Sequence, residues 1–120
     1  MSIDITCYTS INVDELRENL DVLKEKYCHL FDGPYLMFAP HAILNHQQLE
    51  LIDDRVEKYN QETKLLIAEE FGLKEPKSYF LIAVNDKSFP ELNTSGIADV
   101  FRQELGEKNI IVLLNGEDLI

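Results

Sequence analysis

Residues 78–84 read SYFLIAV, and the reading of this run decides the fold class. It is aromatic, β-branched and apolar, without the polar alternation of a strand that wets one face. Such a strand fits a sheet covered on both sides, the usual setting of parallel strands. A second run of this kind, IIVLL, occupies 110–114. Between the two, Ile97, Val100, Phe101 and Leu105 recur at helical spacing, with Thr94 or Ser95 as the cap and Gly106 as the stop. Strand, helix, strand in this order predicts a right-handed crossover over 78–114.

The same alternation extends toward the N-terminus. Ile3, Ile5 and Cys7 alternate with Asp4, Thr6 and Tyr8, the period of a strand. Asn12 with Glu15 three residues on reads as a capping box, and Ile11 with Leu16 as a hydrophobic staple. The helix that follows carries Val13, Leu16, Leu20, Leu23 and Tyr27 along one side. Asp32-Gly33-Pro34 breaks it, and YLMFA (35–39) is a short strand stopped by Pro40. Over 41–74, Leu49, Ile52, Val56 and Tyr59, then Leu66, Ile67 and Phe71, predict one long helix or two broken at 60–63, with Gly72 as the stop. The expected fold is therefore a single α/β layered domain over residues 1–120. Its order is β-α-β-α-β-α-β, with about four mostly parallel strands flanked by helices.

Composition narrows the function. With 22 acidic and 11 basic residues the formal net charge is −11, which argues against direct binding to nucleic acid or to an anionic membrane surface. A basic partner suits this charge, because complementary fields steer association. The two cysteines, Cys7 and Cys28, form no CxxC and no metal-type spacing, so they read as reduced thiols of a cytoplasmic protein. The N-terminus lacks the basic and apolar regions of a signal peptide, and the longest apolar run, 79–84, is too short to span a bilayer.

Catalytic and cofactor motifs fail one by one. The five glycines form neither a dinucleotide-binding fingerprint nor a P-loop. A phospho-receiver domain would want paired acids after the first strand, where Tyr8-Thr9-Ser10 stands. A thioredoxin-like site would want a cysteine pair at the next helix start, and none is there. His29, His41 and His46 include no i, i+4 pair. Glu62-Thr63-Lys64 and Glu75-Pro76-Lys77 match the end of a metal-dependent nuclease motif by chance, without a suitable strand or Asp before them. No catalytic residue, metal ligand or cofactor is expected.

What remains is the placement of the acids. Asp14, Glu18, Asp21 and Glu25 are spaced four, three and four apart, so they stack along one line of the first helix. Leu49, Ile52 and Val56 are likewise shadowed by Glu50, Asp53 and Glu57, with Asp54 beside them. The plain reading is two solvated amphipathic helices. The sharper reading makes these eight residues a docking surface for a cationic domain, with carboxylates standing in for a phosphate row.

A small, thiol-reduced, strongly acidic chain of this kind resembles a bacterial immunity protein of contact-dependent inhibition (CDI) or a related polymorphic toxin system. The resemblance rests on general character over the whole chain. It implies a non-enzymatic cytoplasmic inhibitor that covers the active site or substrate surface of a cognate cationic toxin domain, a nuclease above all. Specificity would then need apolar anchors as well, such as Tyr8, Tyr35 or Phe89. Two rivals follow from the residues alone. One is a small α/β enzyme with a strand-end site built from Ser10, Asp86 and Asn115. The other is a regulatory or scaffold domain that acts as a homodimer.

Overall fold

The computed structural model describes residues 3–31, 35–84, 94–116 and 118–120. In chain order the elements are β1 (Ile3–Thr9), α1 (Val13–Lys26), α2 (Cys28–Phe31), β2 (Tyr35–Met37), β3 (His41–Ala42), α3 (His46–Leu49), α4 (Arg55–Glu70), β4 (Ser78–Val84), α5 (Thr94–Leu105), a 3-10 turn (Glu107–Asn109), β5 (Ile110–Leu114) and β6 (Asp118–Leu119). The strands form one sheet in the order β2-β4-β1-β5-β6, and β3 also pairs with β4.

Every pairing is antiparallel. This overturns the expected parallel sheet and its simple β-α-β-α-β-α-β order. β4 and β5 do run in the same direction, joined through α5, but they do not pair with each other. β1 lies between them and runs against both, with Cys7 opposite Phe80 on one side and Val112 on the other. An apolar strand reports cover on two faces and says nothing about the direction of its neighbours. Helices do cover both faces here, and that is what SYFLIAV and IIVLL record.

Register and pleat sort the side chains. Ile5, Cys7, Phe80, Ile82 and Val112 face one side and pack with Leu16, Leu20 and Leu23 of α1 and with Ile97, Phe101 and Leu105 of α5. Tyr8, Ile111 and Leu113 face the other side and pack with Leu49 of α3 and with Leu65 and Ala68 of α4. The molecule is thus three layers, helix on sheet on helix.

Local signals explain several of these elements. Asn12 caps α1 by accepting a hydrogen bond from the Glu15 amide at 2.9 Å. Ile11 packs against the same core as Leu16. α4 ends at Glu70, and Gly72 takes the left-handed φ of 89° that lets the chain turn away. Gly106 does the same after α5, and a Cβ there would stand 2.7 Å from the side-chain Nδ2 of Asn109. α5 already begins at Thr94, so Thr94 and Ser95 fall in its first turn rather than at its cap.

The segment 41–74 departs from its reading. The break lies at 50–54, and residues 60–63 run inside α4. The cause is two caps. Asn45 and Gln48 form a full capping box that starts α3, and the Asp54 carboxylate accepts from the amides of Val56 and Glu57 at 2.9 and 3.2 Å, which starts α4 anew.

Candidate partner-binding surface

The segment between these two caps is where the acidic residues and the exposed apolar residues coincide. Leu49 is buried beneath α3 and holds the one-turn helix down. The chain then rises into solvent, and Leu51, Val56 and Tyr59 stand 82%, 70% and 71% exposed. Glu50, Asp53, Asp54 and Glu57 are exposed around them. Among the described residues none of Glu50, Asp53 or Glu57 belongs to an ion pair. Asp54 has a second task, since its Oδ1 caps α4. The result is a ridge that exposes three large apolar side chains and four carboxylates, with the basic Arg55 and Lys58 in the same stretch.

The first acidic row is placed differently. Asp14, Glu18, Asp21 and Glu25 are all exposed, and Asp14 pairs with Arg17 at 3.2 Å. α1 lies in the layer opposite α3 and α4, so the two rows do not merge into one plane. They approach each other only at one end of the sheet. There a cavity of about 550 Å³ opens between the first turn of α1, β3, α3, the C-terminal part of α4 and residues 75–77. His46 on α3 meets Glu69 on α4 across its wall, with Nε2 3.0 Å from Oε1.

The anchors expected from sequence lie elsewhere. Tyr8 and Tyr35 are 5% and 3% exposed and belong to the core, while Phe89 falls outside the described residues. The exposed large apolar side chains of this segment are instead Leu51, Val56 and Tyr59. Their helical spacing with Leu49 had made Val56 and Tyr59 look like core. The strand-end set does not assemble either. Ser10 bonds Asn109 at one end of the sheet, and Asn115 accepts from the Asp4 amide at 3.0 Å at the other. Antiparallel strands send their C-termini to opposite ends. Asp86 falls outside the described residues.

Titration is perturbed away from the ridge. Burial in the core pushes the Cys7 thiol far up, while Cys28 is exposed on α2. Burial, then the neighbouring Tyr79, raises Tyr8. Where α1 meets α5, Lys26 and the Tyr27 hydroxyl both donate to Glu104 Oε1, at 2.6 and 3.0 Å. Those bonds hold the Glu104 carboxyl below its usual value and raise Lys26 and Tyr27. Among the described residues no cluster of three or more His, Cys, Asp or Glu side chains is arranged to hold a metal ion. No helix among them is long and apolar enough to cross a membrane.

The architecture is that of a small α-β-α sandwich with an antiparallel sheet, and sequence comparison supplies the family. The profile of the CDI system immunity component family matches residues 1–118, and the chain belongs to that family. Among solved structures, a chain of the CdiA-CT/CdiI toxin and immunity complex from Burkholderia pseudomallei shares the fold. Its TM-score is 0.72 at 22% identity, over 98% of this chain and 95% of that one. No curated protein matches the sequence.

Proposed function

We propose that this chain protects the cell that makes it by capturing the toxin domain of its own CDI system in the cytoplasm. It works as a stoichiometric inhibitor rather than by bond-making. The α3–α4 ridge is the contact surface, and the toxin domain is cationic. A nuclease suits this best, since a nuclease holds phosphate with the basic surface that carboxylates can occupy instead. One observation carries the proposal: Leu51, Val56 and Tyr59 stand exposed in the stretch that also carries Glu50, Asp53 and Glu57, none of which has an ion-pair partner among the described residues. Burial of those apolar groups would supply affinity, and the carboxylates would supply rate and selectivity. The α1 row adds to the long-range field without sharing the contact.

The test uses the toxin domain of the same CDI system. Reversing Glu50, Asp53 and Glu57 to Lys should slow association by about tenfold or more at low salt and flatten its salt dependence. Reversing Glu18, Asp21 and Glu25 on α1 should slow it less. Equal slowing by the two triples, or none by the first, removes the ridge from the interface.

A further inference from the structure

The cavity at the end of the sheet has chemistry that the ridge lacks. We propose that it receives one basic side chain of the toxin, an arginine by preference. This deepens the reading of the chain as a toxin-binding protein and rests on it. The cavity holds about 550 Å³, ample for one long side chain, and Val13, Ile43, Leu65 and Pro76 form apolar walls. Most polar groups on its lining are already engaged. Asn12 is occupied as the cap of α1, and Asn45 and Gln48 bond each other's backbone in the capping box of α3.

Two carboxylates are left for an incoming group. Glu69 meets only His46, and among the described residues the Glu75 side chain has no hydrogen bond or ion pair. Apolar walls with carboxylates among them suit a side chain whose stem is greasy and whose head is a cation. Arginine fits better than lysine because its planar fork bonds a carboxylate in two places and gives up its water more readily. Lys77 is the one lysine on the lining, and its backbone ties the wall to Ile43 and Thr9 at 2.8 Å each. Its ammonium opposes an incoming cation, so the two carboxylates must outweigh it. The position also matters. Asp14 follows Val13 in the chain and Glu50 follows α3, so each acidic row begins beside an element that lines the cavity.

The experiment compares three variants by calorimetric titration with the toxin domain of the same CDI system. Ala42 lines the cavity from the exposed edge strand β3, so Ala42→Phe fills the space from outside the core. It should weaken binding by roughly thirtyfold. Glu69→Gln with Glu75→Gln leaves shape intact and removes charge, and should weaken binding roughly tenfold. Native affinity in Ala42→Phe, or a loss there with none in the double Gln variant, overturns the proposal; the second result means that an apolar group fills the space. The double Gln variant decides the matter if Ala42→Phe fails to fold. The ridge triple, run alongside, separates the two readings. Loss with the pocket variants alone removes the ridge and keeps the cavity, and loss with the ridge alone does the reverse.

Discussion

The two faces of the sheet are built from similar side chains and are covered very differently. On the α1–α5 face, Phe80 and Phe101 are fully buried with ring centroids 5.3 Å apart, and Ile5, Cys7, Leu16, Ile82 and Val112 are fully buried around them. On the α3–α4 face, a core of Tyr8, Leu65, Ala68 and Leu113 is surrounded by loosely covered groups. Leu36 and Leu81, which alternation assigns to this face, are 45% and 38% exposed, and Phe38 beside them is 46% exposed. Two helices of 14 and 12 residues lie on the first face. The second has one long helix and a single turn of α3. On the proposed reading the difference separates tasks: one face specifies the fold, and the other keeps surface free for a partner.

The largest effect should come from the well-covered face. Phe101→Ala removes a ring that also contacts Phe31, whose centroid is 6.0 Å away. It should cost about 3–5 kcal/mol of stability in urea denaturation. Leu65→Ala on the other face removes a side chain of similar burial, at 2% exposed. Its loss should be smaller, about 2 kcal/mol, because the neighbouring cavity lets the site relax or admit water. Equal losses would mean that the α3–α4 layer is as tightly coupled to the sheet as the α1–α5 layer, and the division of tasks would fail.

The same asymmetry explains what could be read from sequence. α1 and α5 were legible because their inward rows are true core rows, with Leu16, Leu20, Leu23, Ile97 and Leu105 all buried. On the looser face the rule misled. Leu49, Ile52, Val56 and Tyr59 keep helical spacing, yet only Leu49 is fully buried. Asp54 with Glu57 three residues on was a cap signal that places the break correctly. Strand direction left no local trace, since SYFLIAV would be as apolar in either arrangement. The acidic rows were visible as spacing, but their separation into opposite layers depends on topology. The cavity draws on residues from 12 to 77, and no local pattern announces such a site.

The smallest expected effect sharpens the comparison from the other direction, since it tests how much a polar tie adds where packing already dominates. Lys26 and Tyr27 at the end of α1 both donate to Glu104 on α5. The hydrogen bonds from Lys26 and then Tyr27 hold the Glu104 carboxyl below its ordinary value, with desolvation opposing them and the Lys26 charge adding a lesser share. A carboxyl lowered on folding contributes stability above its unfolded pKa, and that contribution fades as pH falls through the folded pKa. Lys26 and Tyr27 are raised, so their share is present at neutral pH and fades only as alkali titrates them. Glu104→Gln should therefore lower the melting temperature slightly at pH 7. The gap from the native chain should close on acidification below about pH 4, where carboxylates gain protons. A gap that persists unchanged into acid would assign the contact to packing between α1 and α5 rather than to charge, and the well-covered face would then be held by its apolar core alone.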